Sequence, residues 1–338
     1  GSIMKTPHRV RTRISVLLRW RLVGVGIVLG ALCSAPSLAQ TPDTASRIYK
    51  LAKSSTFQKG CFPPCLCPVV QNGTEQGTFV LTADGFDGLF DKYVITEVNW
   101  NVTTPNGDLR VTGSGTYRVG GEFAVQQQLS LDLKVGDDSV QHFDSGLVAG
   151  GGDFPRIVIT ISIHGQVCFD TVFSLDASPV PPSDIHAYRL LNESTFQQGC
   201  TGPCACASGA PQRLRGTFSL VELDRDPLFT RYAVARANWR AGGDNGTGSS
   251  GLPVTGSGFY RVGGEVAIEQ QMSLELKVGS QFPANFDSGL VPGGGAFPRI
   301  DIDVTSTEGN CVTTAIDLHA APARSKSTEV PTLQQLSP

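Results

Sequence analysis

The sequence predicts two tandem all-β domains, each a disulfide-stapled antiparallel β-barrel or β-sandwich, and three observations carry that prediction. Most of the chain is written twice: Val111-Thr-Gly-Ser-Gly-Thr-Tyr-Arg-Val-Gly-Gly121 returns as Val254-Thr-Gly-Ser-Gly-Phe-Tyr-Arg-Val-Gly-Gly264. Apolar and polar residues alternate in short runs, the period of a strand with one buried face. Eight of the nine cysteines fall into two matching groups of four.

The repeat has a definite register. An offset of 139 carries Tyr49 onto Tyr188, Cys61 onto Cys200 and Trp100 onto Trp239; an offset of 143 then carries Phe143-Asp-Ser-Gly-Leu-Val148 onto Phe286-Asp-Ser-Gly-Leu-Val291. The second copy therefore gains four residues, which fall in the glycine-rich stretch 241–251. Added loop length there costs little closure entropy. So long a period suits a domain with its own core rather than a solenoid unit. The expected organisation is a domain over 48–178, a proline-rich linker over 179–186, a second domain over 187–322 and a flexible tail over 323–338.

Within the first copy, strands are expected at 77–81, 93–102, 109–119, 123–135, 156–164 and 167–175, with counterparts in the second. The stretch 123–135 is the clearest, because Phe123, Val125, Leu129, Leu131, Leu133 and Val135 share one face. Gln127 and Gln270 interrupt that face at the same register, so each is expected either to line a cavity or to form a satisfied structural bond. Gly120-Gly121 and Gly263-Gly264 supply the backbone freedom for hairpin turns. Short links between successive strands favour a meander, and no helix is required.

The amino-terminal segment reads as a secretory signal peptide over 4–39. Six Lys or Arg residues and no acid precede residue 40, an apolar run spans 22–33, and Ser37 and Ala39 are the small residues before cleavage. Its removal leaves 21 basic and 30 acidic residues, a net charge of −9. That balance opposes nucleic-acid binding, and no other run is apolar enough to span a membrane. A secreted, periplasmic or cell-surface location is expected. Near the carboxy terminus, Val330-Pro-Thr-Leu333 resembles the start of the Pro-Thr-Leu surface-sorting signals of Gram-negative bacteria, without the apolar helix and basic residues that follow it in that family, so it reads as a truncated or decayed signal.

In an oxidising compartment the quartets Cys61, Cys65, Cys67, Cys168 and Cys200, Cys204, Cys206, Cys311 read as two disulfides per domain, with three pairings open in each. A cluster cysteine is expected to reach Cys168 or Cys311 and tie the first segment to the last strands. The rival reading of Cys-x3-Cys-x-Cys as a soft-metal site lacks zinc-pair spacing. Acids at Asp84, Asp87, Asp224 and Asp226 do not form a calcium loop. No metal or cofactor is expected.

Catalysis finds little support. His142 aligns with Asn285, His164 with Thr307 and His319 with Asp176, so no histidine is retained in both copies. The acidic pairs Asp87 with Glu122, and Asp226 with Glu265, remain as a route to a carboxylate hydrolase. Recognition has better candidates, the residues kept twice: Trp100/Trp239 as a sugar platform, Tyr117/Tyr260, Gln127/Gln270, and the loop pairs Asp144/Asp287 and Arg156/Arg299. Core packing, cross-strand contacts and an Asp-Arg interaction are the structural alternatives for the same residues. The expected function is a non-enzymatic cell-envelope module that binds a carbohydrate or a small amphipathic ligand, with self-association as the competing role.

Overall fold

The computed structural model describes residues 46–67, 70–200, 209–243, 251–306 and 312–323, all within one compact unit, Asp43–Pro338. The expected signal peptide, the tail beyond Ala323, and Cys204, Cys206 and Cys311 lie outside the described residues.

The first copy forms β1 (Arg47–Leu51), β2 (Thr56–Phe62), β3 (Val70–Phe86), β4 (Phe90–Thr104), β5 (Gly107–Gly120), β6 (Gln126–Val135), β7 (Gln141–Asp144), β8 (Val148–Ala149), β9 (Ile157–Ser162) and β10 (Cys168–Pro179). All pairings are antiparallel, and the ladder runs β10-β2-β3-β4-β5-β6-β7-β9 before closing through β9–β10. It is a barrel, which decides the barrel-or-sandwich alternative. Strands β1 and β2 both pair with β3 and β10, as successive halves of one stave.

The second copy repeats this plan as β11 (Ile185–Leu190), β12 (Thr195–Cys200), β13 (Gln212–Arg225), β14 (Phe229–Ala241), β15 (Leu252–Gly263), β16 (Glu269–Val278), β17 (Ala284–Asp287), β18 (Val291–Pro292), β19 (Ile300–Ser306) and β20 (Val312–Pro322). It closes in the same way, through β19–β20 and β20–β12. Between the barrels, Pro182–Asp184 makes one 3₁₀ turn.

The strand expected over 123–135 begins three residues late, at Gln126. Phe123 and Val125 are exposed, as are Val266 and Ile268, because the chain turns through the Gly120-Gly121 hairpin before β6 joins the ladder. From Gln127 onward the expected alternation holds, and Leu129, Leu131, Leu133 and Val135 are buried. Strand β3 is far longer than 77–81, because polar residues on both sides of that apolar stretch continue the ladder with β4, from Thr74 to Phe86.

The two barrels pack side by side with their faces offset by one strand. Outward residues Ile48 and Val80 of barrel 1 join Val221, Leu223, Ala233 and Ala235 of barrel 2 in a buried apolar seam. Strand β3 lies against β14, and β4 against β15. Beside the seam the fully buried Asn99 amide donates to Gly258 O at 2.7 Å. The Arg110 guanidinium donates to Ser257 O at 3.0 Å and lies 5.5 Å from the Phe259 ring centroid. Lys50 Nζ donates to Glu222 O at 2.7 Å.

In barrel 1 Cys61 pairs with Cys67, and Cys65 with Cys168. The second bridge ties the β2–β3 connection to the start of β10, as expected of a cluster cysteine reaching Cys168.

Candidate ligand-binding site

The barrel interiors are filled with side chains. Trp100 is 1% exposed and Trp239 0%, and Phe79 and Phe218 meet them edge-on at 6.3 and 6.1 Å. The void beside Trp100 amounts to about 10 Å³. A sugar needs an open aromatic face, and neither indole offers one.

Tyr117 and Tyr260 are also buried, each donating its hydroxyl at 3.0 Å to the Oε1 of Gln127 or Gln270. The amides in turn donate to Val158 O at 2.8 Å and Asp301 O at 2.7 Å. Burial pushes both phenols well above their ordinary range. Of the two possibilities for the glutamines, the satisfied structural bond is the one formed. The triple-glycine loop closes over it: any Cβ at Gly150 or Gly293 would strike the amide nitrogen of Gln127 or Gln270. Phe154 and Phe297 stack on the tyrosines at 6.1 Å and complete each plug.

Asp144 and Asp287 do not meet Arg156 and Arg299. Each aspartate instead receives the amide of a neighbouring glutamine, Gln128 at 3.0 Å and Gln271 at 3.1 Å, and caps its own turn at Gly146 or Gly289. Arg156 pairs with Asp176 on β10, whereas Arg299 pairs with Asp301 on β19 and His319 stands where Asp176 would be. Both aspartates are held below the usual carboxylate range, chiefly by the hydrogen bond from the arginine. The retained arginine thus keeps an acid at the barrel end, supplied from different strands.

Two of the four acids that offered a route to hydrolysis serve turns. Asp87 and Asp226 accept backbone amides from the β3–β4 and β13–β14 hairpins, which lower their pKa values. Ser130, His142 and Asp132 are in hydrogen-bonding order on barrel 1, at 3.3 and 2.8 Å. Their histidine and aspartate are 62% and 66% exposed on the open sheet, where nothing excludes water, and the second copy has Asn285 in place of the histidine.

Concavity occurs between the barrels. A cleft of about 1090 Å³ opens beside the apolar seam, bounded by β1, β3, β4 and β5 on one side and by β13, β14, β15 and β16 on the other. Barrel 1 contributes Thr74, Gln76, Asn101 and Thr103, a neutral wall of hydroxyls and amides, flanked by Lys50 and Lys53. Barrel 2 contributes Phe259, Arg231, Arg261, Gln271 and Ser273. No known protein family, curated protein or solved structure matches this chain.

Arg231 is neutralised by Asp224 and Asp226 at 3.0 and 2.6 Å. Among the described residues neither Lys53 nor Arg261 has an acidic partner, and Arg261 Nε is buried without a hydrogen bond. Burial depresses the Arg110 pKa, against the attraction of Glu275 and Asp287. The cleft combines the partly buried Phe259 ring, several neutral hydrogen-bonding groups, the cations Lys53 and Arg261, and the acids Asp108 and Asp224.

Sequence reasoning missed the cleft because it searched for residues kept in both copies. The seam and the cleft beside it depend on positions where the copies differ, although Arg261, Gln271 and Ser273 of the lining are kept in both: Ile48 and Val80 of the seam align with Ala187 and Ser219, and Arg110 and Phe259 of the cleft with Pro253 and Thr116. Loss of apolar character on an outward strand face in one copy alone was the available signal.

Proposed function

We propose that the mature chain is a non-enzymatic recognition module of the cell envelope, and that it binds a carbohydrate in the cleft between its barrels. The observation that carries this reading is the contrast between filled barrels and a cleft of about 1090 Å³ at their junction. Ligand sites favour such junctions, where an apolar surface meets a few placed polar groups. Hydroxyl and amide side chains at Thr74, Gln76, Asn101 and Thr103 suit a polyhydroxylated ligand, and Phe259 offers the apolar patch.

A glycan and small-molecule binding screen on the mature protein tests the proposal. A saccharide hit should weaken about tenfold or more in Asn101→Ala and Phe259→Ala, consistent with losing one hydrogen-bond set or one apolar contact. Absence of any hit, or hits indifferent to both substitutions, would sink it.

Self-association has one observation in its favour. Leu89, Phe123, Val125 and Leu147 are exposed in barrel 1, and Leu228, Val266, Ile268 and Leu290 at the same positions of barrel 2. Retained exposed apolar groups at hairpin tips suit contacts between molecules. Concentration-dependent oligomers in size-exclusion chromatography, abolished by Phe123→Ser with Val266→Ser, would favour that role.

A further inference from the structure

The cleft between the barrels is basic in a chain that is acidic. Lys50, Lys53, Arg110, Arg231 and Arg261 line it, against the carboxyl groups of Asp108, Asp224 and Glu75, the last with its pKa raised by burial. The whole chain carries a formal net charge of −3. A concave site whose sign opposes that of the molecule concentrates anions. Most of its cations are already engaged: Arg231 by Asp224 and Asp226, Arg110 by Ser257 O and by Glu275 at 4.0 Å, and Lys50 by Glu222 O. Among the described residues the side chains of Lys53 and Arg261 form no hydrogen bond or ion pair.

Arg261 differs in this from its twin in the other barrel. It aligns with Arg118, and each guanidinium stacks on a phenylalanine, 5.0 Å from the Phe229 centroid and 4.9 Å from that of Phe90. Each also has a glutamine directly across on the next strand, Gln271 or Gln128. In barrel 1 the fork closes on that glutamine, whose Oε1 accepts from Arg118 Nε at 3.0 Å. In barrel 2 no such bond forms, and Arg261 Nε is buried without an acceptor. Arg261 lines the cleft and Arg118 does not.

A half-buried guanidinium with no acceptor costs desolvation that nothing in the fold returns, and an acceptor entering from the cleft would remove that cost. The planar fork matches a carboxylate in bidentate geometry. The facing wall calls for a different partner. Thr74 lies directly across from Thr103, and Gln76 across from Asn101, on β3 and β4. Glu75 and Val102 between them are buried, so alternation turns these four side chains outward as a grid of two hydroxyls and two amides. The grid spaces its groups roughly 5 Å apart across the strands and about 7 Å along them, and none of them carries a charge. Recurring ring hydroxyls suit it.

We infer that the cleft binds an acidic oligosaccharide, whose ring hydroxyls meet Thr74, Gln76, Asn101 and Thr103 and whose carboxylate is held by Arg261. This rests on the carbohydrate reading of the cleft and adds the charge of the ligand. The volume of about 1090 Å³ stands at the upper end of the range of roughly 300–1,000 Å³ for sites that hold a drug-sized molecule, so more than a single sugar ring is accommodated.

Titration calorimetry of the full mature chain tests this with oligogalacturonate, oligomannuronate and hyaluronan oligomers, each beside its carboxyl-reduced counterpart. At least one acidic form should bind about tenfold or more tighter than its reduced form, and raised salt should narrow the gap. Arg261→Gln should remove the preference while the reduced form still binds. Arg118→Gln, the same change outside the cleft, should leave the preference intact. If Arg261→Gln misfolds by circular dichroism, Arg261→Lys replaces it, keeping the charge without the fork, and should lose most of the preference. Equal binding of acidic and reduced forms, or a preference that survives in a folded variant, overturns the inference and leaves the carbohydrate reading standing. Absence of binding by every pair overturns it as well, and an empty screen of neutral glycans then takes the carbohydrate reading with it. Poly-glutamate offers carboxylates without ring hydroxyls and should not bind. Arg261-dependent binding of poly-glutamate, with none of any uronate, overturns the inference in favour of an acidic peptide.

Discussion

Glu97 accepts a hydrogen bond from the backbone amide of Arg236 at 2.8 Å, and the two residues stand at the same position of their respective copies. Both sit in register shifts of the equivalent strands β4 and β14 with positive φ, 52° and 55°. The bulges meet at the barrel junction, where the Arg236 guanidinium reaches back to Ser46 O at 2.6 Å. The amide leaves the ladder at a bulge, so it is available to a carboxylate from the other barrel.

Glu97→Ala should therefore loosen the junction without unfolding either barrel. A loss of about 1–3 kcal/mol is expected from a buried amide deprived of its charged acceptor. Limited proteolysis near 179–186 should accelerate while the circular dichroism of the sheets stays unchanged; unaltered cleavage would contradict this.

A second buried acid predicts a pH dependence. Glu75 points into barrel 1 at 2% exposure with neither carboxyl oxygen hydrogen-bonded, and burial raises its pKa well above the usual carboxylate value. The folded state then holds this proton where the unfolded chain releases it, so stability falls as pH rises above the unfolded value of about 4.3. The second copy has Leu214 at this position. Glu75→Leu should stabilise barrel 1 by about 1–3 kcal/mol at pH 7 and by less at pH 4. Thermal melts at both pH values would show it; an equal gain at each would mean that ionisation is not the cause.

The plug at each barrel end should be sensitive to shape and polarity together. Gln127→Leu leaves the Tyr117 hydroxyl and Val158 O without their partner, at a cost of about 1–3 kcal/mol. Tyr117→Phe removes a single hydroxyl and should cost about 1 kcal/mol. Urea denaturation of the two variants should rank them in that order.

The Cys65–Cys168 bridge closes a sequence separation of 103 residues. Cys65→Ser, made together with Cys168→Ser to leave no free thiol, should lower stability by about 4.7 kcal/mol in the loop-entropy account. Denaturant midpoints measure the loss, and peptide mapping under non-reducing conditions should recover the linked pair.

Fold class was legible because the copies agree on what a closed sheet requires. Alternation from Leu129 to Val135, glycines at turns, and the two tryptophans are all scaffold features, and all were kept. Strand ends were less legible: Phe123 and Val125 continue the period of β6 but stand beyond its ladder, since alternation records a pattern and not where pairing begins. The site was least legible. Retention directed attention to Trp100, Tyr117 and Gln127, which hold the barrel together, while the junction is lined by unmatched residues such as Arg110 and Phe259. Disulfide partners could not be chosen among Cys61, Cys65 and Cys67 by spacing, because pairing depends on which cysteine faces β10.

The one-strand offset at the seam makes the order of the copies part of the molecule's information. Ile48 and Val80 come from one barrel and Ala233 and Ala235 from the other, and neither barrel owns both halves. A gene with the barrels exchanged would bring Ala187 and Ser219 toward Thr82, Asp84, Val94 and Thr96, with the same amino acids in total and a far less apolar seam between them. Each copy has become a specialist, and neither can stand in for its twin.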